Sequence, residues 1–271
     1  MPIHEEIVSH TGGKYKVIKI AQENVSDLEE LIRHRLVDIC FGAESVRIEP
    51  DIKTYKAACM QLYSNLIRYD EAKKYGLIGE LMMHVLAPNM LDFEAESMSM
   101  LLSLQNQNIK PGFDLNFHDR NQKKIWYGEV KSGLDHEDRS ELITRARDGL
   151  RNYFDNINNP NIEKSTSYRW DAAKHEVAVI FTADERANLS KLLTSDRASI
   201  STNADKRRNV ILMTVNFGDR YYELNTTQDI ENSINNLVKL KCFDDYFVIN
   251  THKKAFDDII DFLKNEGQSN G

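Results

Sequence analysis

GFDLNFHDRNQKKIWYGEVKSG, residues 112–133, reads as two strands joined by a turn. Phe113, Leu115 and Phe117 alternate with polar residues, and the later run carries Ile125, Trp126, Tyr127 and Val130. Charge interrupts this pattern at Asp114, Glu129 and Lys131. Side chains along a strand point alternately to opposite faces. Glu129 and Lys131 therefore share a face with Tyr127, while Gly128 and Val130 point the other way. Asp114 falls on the face opposite Phe113 and Leu115, where hairpin pairing can bring it near Glu129. Two carboxylates so placed repel, which raises one pKa unless a cation sits between them. A divalent metal resolves the conflict, and a few hard oxygen ligands suit Mg²⁺ or Mn²⁺. The backbone carbonyl of Val130 is a further candidate ligand. An ammonium beside such an ion, here Lys131, can orient a water and stabilise charge on a phosphoryl oxygen.

Outward from this hairpin, the N-terminal side reads as mostly helical. A strand is expected over 14–20, then a helix over 25–39 with apolar residues at Val25, Leu28, Leu31, Ile32, Leu36 and Ile39. SVRIEP (45–50) reads as a short strand ended by Pro50. Helices are expected over 53–69, over 77–86 with Pro88 as the stop, and over 93–105. On the C-terminal side, Leu142, Ile143, Ala146, Leu150, Tyr153, Phe154 and Ile157 mark a long amphipathic helix. EVAVIFTA (176–183) and NVILMTV (209–215) read as strands covered on both faces, separated by a polar stretch. A helix over 229–240, a strand over 245–250 and a helix over 254–264 follow. The expected architecture is α/β: a core over 76–265 with a central mixed sheet flanked by helices. A helix-rich N-terminal region, 1–75, packs on it, and residues 266–271 form a disordered tail.

The chain's 271 residues are 41 % hydrophobic and 28 % charged, enough for a buried core. No stretch has the roughly 18 consecutive apolar residues that span a bilayer, so no membrane is implied. The first twenty residues lack the layout of a signal peptide. Cys40, Cys59 and Cys242 are odd in number and widely spaced, which fits a reducing cytoplasm. The net charge of −7 argues against a protein that grips nucleic acid by phosphate contacts alone. Basic residues are nonetheless concentrated in two places. Arg145, Arg147 and Arg151 stud the helix after Lys131, and Lys206, Arg207 and Arg208 form the densest run. Either set is a solvated face or a DNA contact that positions phosphates.

A fourth acid stands upstream. GLIGELMMHVLAP (76–88) is apolar nearly all round, and Glu80 is its only carboxylate. Such a group is costly to bury unless paired or metal-bound, and Glu80 could approach the face carrying Asp114 and Glu129. An E-x-K pair alone is most often a solvated ion pair. The order helix-Glu, strand-Asp, strand E-x-K and basic amphipathic helix is far less common.

That order resembles the PD-(D/E)xK nuclease superfamily, with GFDLN as the Asp strand and GEVKS as the E-x-K strand. GLIGELMMHVLAP, KPGFDLNF and WYGEVKSG together more closely resemble the HamA family, nuclease subunits of Hachiman anti-phage defence systems. The motifs cover residues 77–133, and one departure is that Pro111 lies three residues before Asp114. The resemblance implies a nuclease-like core and a metal-dependent DNA endonuclease that works with a helicase subunit. It further implies Asp114 and Glu129 as metal ligands, Lys131 at the water and phosphate, and Glu80 assisting the metal. The chain has no GxxxxGK[ST], since HTGGKYK lacks that spacing, so ATP hydrolysis would belong to the partner. The alternative is a non-catalytic nuclease-like subunit that binds and regulates a helicase.

Overall fold

A computed structural model describes residues 4–10, 13–20, 25–102, 112–134, 139–157, 168–202, 207–217, 232, 235–236, 243–253 and 256–268. The frame is a seven-stranded mixed sheet in the order β1-β2-β7-β6-β5-β4-β3. Its strands are β1 (His4–His10), β2 (Gly13–Ile20), β3 (Ala95–Ser97), β4 (Leu115–Asp119), β5 (Lys124–Leu134), β6 (Asn209–Phe217) and β7 (Asp245–Lys253). β5, β6, β7 and β2 run parallel to one another, while β1, β4 and β3 form antiparallel margins. The region 1–75, expected to be helix-rich, thus gives two strands to the sheet before its helices begin.

Helices cover both faces. α1 (Val25–Phe41), α3 (Tyr55–Leu66), α4 (Glu71–Met90) and α8 (Phe256–Gln268) enclose one core with Trp126, Val130, Ile211, Met213, Val215, Phe247 and Ile249 of the sheet. α5 (Arg139–Asp155), α6 (Tyr168–Ile180) and α7 (Ala183–Thr202) enclose the other with Tyr127, Val210, Leu212 and Val248. Consecutive residues of β5 and β6 enter opposite cores, as strand alternation requires. β6 lies between two parallel partners and is buried from Val210 to Phe217, which accounts for its unbroken apolar run. Among the described residues no helix is long and apolar enough to cross a membrane. Cys40 and Cys59 are free thiols buried in the first core.

Several local expectations are corrected. SVRIEP is not a strand: α2 (Ala43–Ile48) takes its first four residues, entered through Gly42 at φ 81 and braced by the Arg47–Glu44 ion pair of 2.6 Å. Pro88 does not stop α4, which continues to Met90. In the last turn proline forfeits one backbone bond, and the helix ends two residues beyond it. The expected helix over 93–105 gives way to β3, an edge strand pairing Ala95 with Asp119 and Ser97 with Phe117; residues 103–105 lie outside the described set. EVAVI belongs to α6, whose buried positions Trp170, Ala173, Glu176 and Val177 have helical spacing. The polar stretch after it is largely α7. The last helix runs to Gln268, so residues 266–268 are not a disordered tail. The helix expected over 229–240 lies largely outside the described residues.

Candidate active site

The site forms where β4 has yet to start but β5 is already in the sheet. Leu115 pairs with Gly128 as the first rung of the β4–β5 ladder. One residue earlier, Asp114 replaces the missing backbone partner with its side chain: Val130 N–H donates to Asp114 Oδ2 at 2.8 Å. A strand residue's N–H and C=O point to the same edge, so the Val130 carbonyl faces this gap as well. Lys131 Nζ donates to that carbonyl at 3.3 Å and to Glu129 Oε1 at 2.6 Å. Asp114, Glu129, Val130 and Lys131 are thereby held at one point.

The environment makes the Glu129 charge expensive. Its side chain is 3 % exposed, against 26 % for Lys131. Burial, then the nearby Asp114 charge, pushes the Glu129 carboxyl up to about 7, although Lys131 and Arg169 pull the other way. For Lys131, burial alone would lower the pKa, but Glu129 and Asp114 outweigh it and the net direction is up. The ammonium therefore stays charged beside carboxylates that need it. Glu129 Oε2 is buried and has no hydrogen-bond partner among the described residues. An acceptor of this kind calls for a water, an ion or another donor to satisfy it.

That oxygen is the test of a metal here. The converging donors are all oxygens, from Asp114, Glu129 and the Val130 carbonyl, which is the set Mg²⁺ or Mn²⁺ takes. Among the described residues no group of three or more His, Cys, Asp and Glu side chains is placed to hold a metal. The pair alone suits Mg²⁺, which commonly takes one or two carboxylates and completes its shell with waters and substrate phosphate.

Among the described residues Glu80 does not complete a three-carboxylate cluster with Asp114 and Glu129. It lies on α4, which packs on the Val130 face of β5, as the contact of Gly79 with Ser132 and Val215 shows. Glu129 faces the opposite layer, where Gly149 of α5 abuts its carboxylate. A helix-borne acid cannot be assigned to a sheet face from its own sequence.

The expected basic residues are dispersed. Arg145 is exposed on α5. Arg147 pairs with Asp148 at 2.7 Å and Arg151 with Asp155 at 3.2 Å. Arg208 is turned inward, 12 % exposed, in a 2.8 Å ion pair with Asp196. Asp196 also accepts from the buried Tyr127 hydroxyl at 2.5 Å, so Arg208 serves a structural network and not an exposed basic run. Arg207 is exposed and lies 3.8 Å from Asp244, and Lys206 lies outside the described residues.

Two neighbours of the site escape a reading of the sequence. Tyr153 follows Gly149 by one turn of α5, and burial, then Glu129, pushes its phenol up to about 12. Arg169 of α6 stacks on the Tyr153 ring at 3.4 Å and donates to the carbonyl of Gly112. The helical spacing of Tyr153 marks only a core position, and no local spacing ties Arg169 to residues 112–131.

The profile of the HamA family matches residues 3–266, nearly the whole chain. The chain belongs to the HamA family. HamA membership gives it a role in Hachiman anti-phage defence. No curated protein matches the chain.

Proposed function

We propose that this HamA-family chain is a Mg²⁺- or Mn²⁺-dependent DNA endonuclease that works with a helicase subunit in anti-phage defence. One observation carries the reading: the buried Glu129 carboxylate, with Oε2 unsatisfied among the described residues, converges with Asp114, the Val130 carbonyl and Lys131. Asp114, Glu129 and the Val130 carbonyl would hold the ion. When bound, it would lower the pKa of an attacking water and offset charge developing on the phosphoryl group.

The chain's own residues supply the rest. Asp114 fixes the β5 backbone through Val130 N–H, while its other oxygen would serve the ion. Lys131 holds its proton against burial because two carboxylates face it. Its N–H groups are thus available to orient water and to donate to a phosphate oxygen. The exposed arginines of α5, Arg145 and Arg151, together with Arg207, are proposed to contact the DNA backbone. Glu80 enters only as a residue implied by the family resemblance.

The experiment is cleavage of plasmid and oligonucleotide DNA by the purified chain, alone and with its helicase, in Mg²⁺, Mn²⁺ and EDTA. Metal-dependent cleavage that a Glu129→Ala, Lys131→Ala variant lacks is the expected result. Undiminished cleavage by that variant overturns the assignment. A folded wild-type chain that cleaves nothing with any partner makes the chain a non-catalytic subunit.

A further inference from the structure

We propose that Arg169 is a DNA-contacting residue of this site, holding a guanidinium at its rim to receive a backbone phosphate oxygen; this rests on the nuclease reading above.

The position is built from both sides of the site. Gly112, whose carbonyl accepts from the Arg169 guanidinium, lies two residues before Asp114. Tyr153, whose ring lies 3.4 Å beneath that guanidinium, sits one α5 turn beyond the Gly149 contact with Glu129. Phe113 fixes the platform: its ring is 4.6 Å from Tyr127 and 6.1 Å from Tyr153, and the guanidinium lies 5.9 Å from its centre. Arg169 is therefore tied to the Asp114 turn by a hydrogen bond and to α5 by stacking.

Stacking on an aromatic face orients the guanidinium plane while leaving its N–H edges to donate. The Gly112 carbonyl uses one of several such donors. Among the described residues no carboxylate lies within ion-pair distance of Arg169, in contrast to Arg147, Arg151, Arg207 and Arg208. Its charge is felt at the site, because it lowers the pKa of both Glu129 and Tyr153. A planar, oriented cation lacking a carboxylate partner among those residues, beside two carboxylates that seat a metal, matches a phosphodiester. It offers a way for a chain of net charge −7 to engage DNA at the reacting phosphate and not over a broad basic face.

The test uses a labelled duplex oligonucleotide and the 271-residue chain in a Glu129→Gln background, expected to bind without cutting. Affinity is measured in Mg²⁺ from about 50 to 200 mM salt. Arg169→Ala is expected to weaken binding roughly tenfold and to reduce the slope of log affinity against log salt by about one. Arg169→Lys should restore the slope but only part of the affinity, since a lysine lacks the fork geometry. Thermal melts of each variant report the fold separately. An unchanged salt slope in Arg169→Ala, with or without a lower melting temperature, makes the residue structural and overturns the proposal. So does a Glu129→Gln parent that shows no salt-dependent binding. Cleavage by the wild-type chain separates the two readings: metal-dependent cutting with an unchanged Arg169→Ala slope sinks this proposal alone. No cutting with the helicase sinks both.

Discussion

The two faces of β5 are drawn from alternate residues of one strand, yet they are opposite in character. Trp126 and Val130 enter an apolar core beneath α4, while Tyr127 leads to Glu129 and Lys131 beneath α5. Both helices approach through a glycine. A Cβ on Gly79 would collide with Ser132 Oγ, and one on Gly149 would lie 3.0 Å from Glu129 Oε1. The same device seats a core on one face and shapes room for a carboxylate on the other. Charge is confined to the α5 face, at the end of β5 where the neighbouring β4 ladder is missing, and there Asp114 supplies what the ladder does not.

This contrast can be broken first at the charges. Glu129→Gln and Lys131→Ala should each lower the cleavage rate by roughly 10²-fold or more in a steady-state assay. The melting temperature should hold or rise in Glu129→Gln and fall in Lys131→Ala, which strips the ammonium from two carboxylates. Exchanging the glycines should then separate the faces. Gly149→Ala should displace the Glu129 carboxylate and cost roughly tenfold in rate, with a small change in melting temperature. Gly79→Ala should do the reverse, costing about 1–3 kcal/mol of stability while the rate per folded molecule holds within about twofold.

A subtler effect follows from the raised Glu129 carboxyl. Its folded pKa lies above its unfolded value, so the folded state binds the extra proton between them. Stability of the metal-free chain should therefore fall as pH rises from about 4.5 to 7 and level off above. Denaturant melts of wild type against Glu129→Gln should show this as a difference that shifts by roughly 1–3 kcal/mol across that window. A difference that is flat, or that favours wild type as pH rises, would contradict the burial account. The smallest change belongs to Glu80→Gln. Since α4 packs on the other face, its cleavage rate should stay within about threefold of wild type.

The hairpin is legible in the sequence because alternation and a turn are local, and pairing of its two strands can bring Asp114 near Glu129. NVILMTV is legible for the same reason, being a strand between two parallel partners. EVAVI is not: a short β-branched run fits a buried helix equally, and here the upstream residues Trp170 and Ala173 set the period. SVRIEP misleads because an ion pair between Glu44 and Arg47 and a glycine hinge decide a two-turn element that propensity leaves open. At the site, the E-x-K strand announces itself through charges that a strand has little reason to hold. The layer occupied by Glu80 and the stacking of Arg169 on Tyr153 depend on how helices fall on the sheet. Arg169 lies 38 residues after Lys131, at the start of a helix whose later apolar run imitates a strand.

Asp114 and Glu129 are proposed to form a metal seat. Calorimetric titration of the metal-free chain with Mn²⁺ at about pH 8, where the Glu129 carboxyl has lost its proton, tests it most directly. Binding of about one ion per chain in the wild type, abolished in a Glu129→Gln chain that melts normally, is the predicted result. Equal binding by both chains, or none by the wild type in the presence of a DNA oligonucleotide, would contradict it.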